Sequence, residues 1–237
     1  MLQNMKLPVI LFIFISSCIA CMSESDEITS PINSRPDPKE GLTFLALGDS
    51  YTIGQSVTEQ ERWPVLLSKS MSINGLKIAE PLIIAKTGWT TANLLSNIST
   101  VNTAHPYDLV SLLIGVNNQY QGLGLEQYRE EFSRLLQKSI TYAGGRSNRV
   151  FVLSIPDWGA TPAGSSGREL IGKEIDQYNA VAKEECDKAK ILFIDITPIS
   201  RKALNDLTLV ANDRLHYSGK MHQLWVDEAL PQVKLLL

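Results

Sequence analysis

An open α/β sandwich, a parallel sheet covered by helices on both faces, is predicted by three observations on the 237-residue sequence. From residue 41 onward, short apolar β-rich runs alternate with longer amphipathic stretches. The apolar runs are near-continuous, as in Leu109-Val110-Ser111-Leu112-Leu113-Ile114, a pattern that requires burial on both faces. Composition agrees: 44% hydrophobic and 20% charged residues suit a packed globule, and the length fits one domain.

The elements follow in order. The first strand, 43–47, runs into Gly48-Asp49-Ser50-Tyr51-Thr52-Ile53-Gly54, and a helix is expected at 62–72. The second strand falls within 76–85 and runs into Lys86-Thr87-Gly88-Trp89, followed by a helix at 91–98. The third, 108–114, opens on Gly115-Val116-Asn117-Asn118 before a helix at 125–142. The fourth, 149–155, opens on Pro156-Asp157-Trp158-Gly159 before a helix at 168–189. A fifth strand at 191–196 and a final helix from Lys220 to about Val233 complete five of each. Asp213-Arg214-Leu215-His216 precedes that last helix, with Ser218 placed to cap it.

Charge and cysteine content narrow the partners. With 22 basic and 25 acidic residues the formal charge is −3, and no Lys/Arg stripe could neutralise a phosphate backbone, so nucleic acid is excluded as a partner. Cys18, Cys21 and Cys186 are too few and too unevenly spread for a disulfide framework or a four-ligand zinc site. Cys186, in a charged helical stretch, reads as a partly buried structural thiol.

Residues 1–21 have a short polar start with one cation, Lys6, then an apolar run at 7–15 and small residues, the layout of a secretory signal. The run is too short to span a bilayer. Ile15-Ser16-Ser17-Cys18 resembles the bacterial lipoprotein box, which implies a signal peptide at 1–17 and a lipid on Cys18; Cys21 competes, and simple cleavage without a lipid is the alternative. Residues 18–40 are polar, acidic and proline-bearing, as a solvated tether would be, and the domain occupies 41–237. The expected location is the bacterial cell envelope, with the membrane as a partner through this anchor.

In a parallel sheet, ligands bind outside the carboxyl ends of the strands, so the residues after each strand carry the chemistry. Gly48-Asp49-Ser50 alone is a common turn sequence, but after a buried strand and before a helix it sets a hydroxyl beside backbone amides. A serine nucleophile needs a histidine base and a group to orient it. Of the three histidines, His105, His216 and His222, only His216 has an aspartate, Asp213, three residues before it. His105 and His222 read as surface or packing residues. Gly88 and Asn117 are either turn residues or donors for an oxyanion: glycine permits close backbone approach, and asparagine offers an uncharged N–H.

Together these residues resemble the SGNH, or GDSL, hydrolase family, whose serine, glycine, asparagine and histidine blocks occur in this order. Gly48-Asp49-Ser50, Gly88 in Thr87-Gly88-Trp89-Thr90, Gly115-Val116-Asn117 and Asp213-Arg214-Leu215-His216 match them in turn, over about residues 41–237. The third block often reads Gly-x-Asn-Asp, whereas this chain has Asn118 last. The resemblance implies a flavodoxin-like fold with five parallel strands. It also implies a catalytic Ser50, His216 and Asp213, and an oxyanion hole from the Ser50 and Gly88 N–H groups and the Asn117 amide. The expected reaction is carboxylic ester hydrolysis through an acyl-serine, lysophospholipase- or general carboxylesterase-like, with no metal or organic cofactor. A polysaccharide O-deacetylase of the same family and a catalytically silent envelope binding protein are the alternatives. A metal hydrolase using Asp213, His216 and His222 is disfavoured because no close His pair shares a helical face. Gly-x-Ser-x-Gly, Gly-x-Gly-x-x-Gly and P-loop sequences are absent. Tyr51, Trp89, Tyr120 and Trp158 either line an acyl or sugar groove or cover the core. The loops at 54–61, 119–124 and 157–167 frame that choice.

Overall fold

The computed structural model describes residues 41–98 and 105–237; the signal peptide, Cys18 and the tether expected at 1–40 lie outside the described residues. Five parallel strands form one sheet: β1 (Phe44–Gly48), β2 (Leu82–Ala85), β3 (Leu109–Leu113), β4 (Val150–Leu153) and β5 (Leu192–Ile194), in the order β2-β1-β3-β4-β5. Every residue of β1, β3 and β4 is buried, which is why their sequences are apolar on both faces. β2 forms one edge and is shorter than its apolar stretch, because Pro81 has no N–H to donate to the ladder. Only an isolated bridge, Leu42 to Ile78, extends the pairing.

The expected helices form as α2 (Trp63–Ile73), α3 (Thr91–Asn97), α5 (Leu125–Tyr142), α6 (Arg168–Ala189) and α8 (Gly219–Val233). Pro64 starts α2 where its missing N–H costs nothing, a Thr90/Asn93 capping box starts α3, and Lys190 in the left-handed region ends α6. α2 packs on α8, and α5 packs on both α3 and α6, giving two helical layers around the sheet. Phe44, Trp63 and Phe151 meet at ring separations of 6.2–6.3 Å in one layer, and Tyr128 lies 4.8 Å from Tyr178 in the other. Among the described residues no helix is long and apolar enough to cross a membrane.

Three short helices escape a pattern search because four or five residues hold barely one helical period: α1 (Ser50–Ile53), α4 (Val116–Tyr120) and α7 (Thr197–Ser200). Two of them begin at the carboxyl ends of the adjacent strands β1 and β3. That is where the chain reverses direction across the sheet, connecting first to β2 on one side and then to β3 on the other. Ser218 does occupy the residue before α8, but its hydroxyl donates to the Thr208 carbonyl at 2.7 Å instead of capping the helix.

Candidate active site

Ser50 is the first residue of α1 and is 4% exposed. Asp49 sets it there: its Oδ1 accepts the Tyr51 N–H at 3.0 Å, and Gly54 closes the short helix in the left-handed region at φ 74°. Complete burial pushes the Asp49 carboxyl up to about 7, against the pull of the Tyr51, Asp49 and Gly115 amides. Gly48 is fixed by space, since a Cβ would lie 2.5 Å from the Leu113 carbonyl oxygen of β3.

The loop before α8 brings Asp213 to His216. Asp213 Oδ1 accepts the backbone N–H groups of Leu215 at 3.0 Å and His216 at 2.9 Å, and Arg214, between Asp213 and Leu215, sits at φ 65°. Asp213 Oδ2 pairs with His216 Nδ1 at 2.6 Å and accepts the Ser56 hydroxyl at 2.6 Å. Partial burial raises the Asp213 carboxyl, but the Ser56 hydroxyl, the two amides and the imidazole outweigh it and hold the group well below the usual carboxylate range. With Asp213 ionised, Nδ1 is the donor of this pair, and in the neutral imidazole Nε2 is then the acceptor.

The imidazole meets the ring of Tyr51, the residue after Ser50, edge-on at 5.8 Å. Ser50 Oγ makes no hydrogen bond among the described residues; without substrate such bonds are commonly long and tighten on binding. Tyr51 itself is 3% exposed and packs between Tyr217 and Trp225, so it covers the core and does not line a groove.

Gly88 follows β2 at φ 83°, and nothing lies within 4 Å of where its Cβ would be, so its backbone borders open space. Asn117 enters from α4, with one N–H of its amide on the Trp89 carbonyl at 2.9 Å and the other still available. Asn118 turns the opposite way. It is fully buried, its Oδ1 accepting the Thr91 N–H at 3.0 Å and its Nδ2 donating to the Thr91 hydroxyl at 2.7 Å, while that hydroxyl donates to Glu131. The residue that departs from Gly-x-Asn-Asp is therefore a staple between α4 and the start of α3. A carboxylate in place of this amide would face a hydroxyl whose proton already belongs to Glu131. Asn118→Asp is expected to cost about 2 kcal/mol of stability, read from urea unfolding, and an unchanged midpoint would refute the staple.

The other histidines play no part in this arrangement. His222 is buried, accepts the Trp63 N–H on Nδ1 at 3.2 Å, and stacks on Trp225; burial pushes it down to about 3, so it is neutral. His105 is exposed. Cys186 is fully buried, more so than its charged helix suggests, and burial raises its thiol. At the end of α4, Tyr120 is 65% exposed and meets Trp158 edge-to-face at 5.4 Å, and Trp158 Nε1 donates to Gln119 Oε1 at 2.7 Å. A cavity of about 590 Å³ beside α2, lined by Val65, Lys69, Ile78 and Pro81 among others, contains none of these groups.

A serine at the end of the first strand and an Asp-paired histidine against Tyr51, the residue after it, stand on a parallel 2-1-3-4-5 sheet, the architecture of the SGNH class of α/β/α hydrolases. The chain belongs to the GDSL-like lipase/acylhydrolase family, whose model matches residues 46–224. Solved structures share the fold. The acetylxylan esterase Axe2 from Geobacillus stearothermophilus is 18% identical with a TM-score of 0.65, covering 82% of this chain and 96% of that one. The psychrotrophic esterase EstA from Pseudoalteromonas sp., inhibited by monoethylphosphonate, is 17% identical with a TM-score of 0.62 over 81% and 96%. TesA is 18% identical with a TM-score of 0.63 over 82% and 99%. No curated protein sequence matches the chain.

Proposed function

We propose that the protein is a serine esterase that cleaves carboxylic esters through an acyl-serine intermediate. The observation that carries the reading is the 2.6 Å Asp213–His216 hydrogen bond beside the helix that bears Ser50. His216 Nε2 takes the Ser50 proton as Oγ bonds to the ester carbonyl carbon, then returns it to the departing alcohol. Water, activated by the same nitrogen, cleaves the acyl-serine. The developing oxyanion is held by the Ser50 and Gly88 N–H groups and the second N–H of Asn117. Nothing in this sequence of steps calls for a metal or organic cofactor. The leader expected at 1–17 and the lipid on Cys18 would tether the enzyme to the bacterial envelope, close to acyl lipids and surface glycans.

Lysophospholipase- or carboxylesterase-like cleavage of acyl esters is the first reading of the substrate. The exposed Tyr120, edge-to-face with the half-buried Trp158, supports a second, an O-deacetylase acting on a polysaccharide, because an exposed aromatic face suits a sugar ring. Hydrolysis of p-nitrophenyl esters of rising chain length tests both. Preference for acetyl supports the deacetylase, preference for longer chains the acyl esterase, and no turnover by folded protein leaves a silent binding protein. Asn117→Ala is expected to lower kcat by about 10²-fold while still forming the acyl-enzyme. An unimpaired variant would remove Asn117 from the oxyanion site.

A further inference from the structure

Resting on that serine-hydrolase reading, we propose that the turn Gly54-Gln55-Ser56 is a positioning device that locks the Gly88 turn and the Asp213–His216 pair onto the Ser50 helix. Three sets of bonds converge on these residues. The Ser50 carbonyl accepts the N–H groups of Gly54 at 3.0 Å and Gln55 at 2.9 Å, so the turn is built on the nucleophile's own backbone. The Gln55 Oε1 accepts the Thr87 hydroxyl at 2.7 Å, reaching the residue before Gly88. The Ser56 hydroxyl donates to Asp213 Oδ2 at 2.6 Å, across 157 residues of sequence.

The backbone supports the assignment. Ser56 sits at φ 66°, a left-handed conformation that costs any residue with a Cβ and that glycine would relieve. A serine there supplies what glycine cannot, a donor aimed at the carboxylate. The turn is held beyond this point by a Thr58/Glu61 capping box, with Thr58 N–H and hydroxyl both on Glu61 Oε2. Gln55 and Ser56 are exposed, so neither is part of the core.

Ser56 and the imidazole share one oxygen of Asp213, and the hydroxyl therefore moderates the carboxylate's basicity as well as its orientation. Other groups face the pair. Tyr51 of α1 meets the imidazole and is kept protonated by burial; Asp157 couples electrostatically to Tyr51. His222 of α8 is neutral and faces Glu61, and Arg214 of the same loop is exposed. None of these groups is hydrogen-bonded to Ser56, whose hydroxyl goes to Asp213.

The test uses kcat/KM against pH for wild type, Ser56→Gly, Ser56→Asn, Gln55→Ala and the Gln55→Ala/Ser56→Gly pair, with thermal melting on each. Ser56→Gly should melt no lower than wild type. Its kcat should fall about tenfold, and its acid limb should move up by about half a pH unit as the carboxylate binds the imidazolium more tightly. Ser56→Asn, which tolerates the left-handed region and restores an N–H donor, should recover part of both changes. Gln55→Ala should lower kcat severalfold and leave the acid limb in place, because it acts on the Gly88 side. An active wild type with an unaltered Ser56→Gly profile overturns the device alone. A folded but inactive wild type overturns the serine-hydrolase reading, and the device with it.

Discussion

Ser50→Ala is expected to reduce ester hydrolysis by on the order of 10⁶-fold, to the background that the oxyanion donors and substrate binding alone sustain. The size follows from what the substitution removes and what it leaves. In the proposed mechanism Oγ is the atom that bonds to the acyl carbon, and neither neighbour at the end of β1 can replace it: Asp49 is fully buried and Tyr51 is packed into the core. The backbone contribution survives, since the Ser50 N–H and the carbonyl that accepts Gly54 and Gln55 are unchanged. Folding should therefore be preserved, with melting within a few degrees of wild type. A fluorophosphonate probe makes the test independent of the natural substrate: wild type should gain one adduct on the peptide holding Ser50, and the variant none. Turnover that survived Ser50→Ala would place the nucleophile elsewhere and refute the mechanism at its first step.

The features legible in the sequence are those that recur with a period or lie together in the chain. The helices at 125–142 and 168–189 are found to the residue because eighteen or more positions repeat one amphipathic face. Strands β1, β3 and β4 announce themselves by burial on both sides. The short helices α1 and α4 are set by single capping and glycine geometries, and those leave no periodic trace. At the site, Asp213 and His216 are close in sequence and their contact is readable from spacing. Ser56 and Gln55 are not: each bonds to a partner on another element, and a serine at positive φ carries no mark that distinguishes it from any turn serine. Tyr51 reads equally as groove or core, and its burial is decided by Trp225 and Tyr217, far along the chain.

Asp213→Asn should be nearly as damaging, with kcat down about 10⁴-fold and little change in fold. The two oxygens of Asp213 have different partners, and an amide can imitate only one of them. Oδ1 faces two backbone N–H groups, from Leu215 and His216, which can only donate; the oxygen of the asparagine must stay there. Its NH₂ then faces Ser56 and His216 Nδ1. The hydroxyl can rotate to accept, but the imidazole can accept only by moving its own proton to Nε2, the atom that receives the Ser50 proton in the proposed mechanism. The loop keeps its shape while the base loses its lone pair. Asp213→Ala separates the two effects, because it also strands the Leu215 and His216 amides and should lower the melting temperature where Asn does not. Pre-steady-state acylation with a p-nitrophenyl ester reads the step directly: the burst should slow in proportion to kcat. Asp213→Asn acylating within tenfold of wild type would mean that the carboxylate merely shapes the loop, and that His216 chooses its tautomer without it.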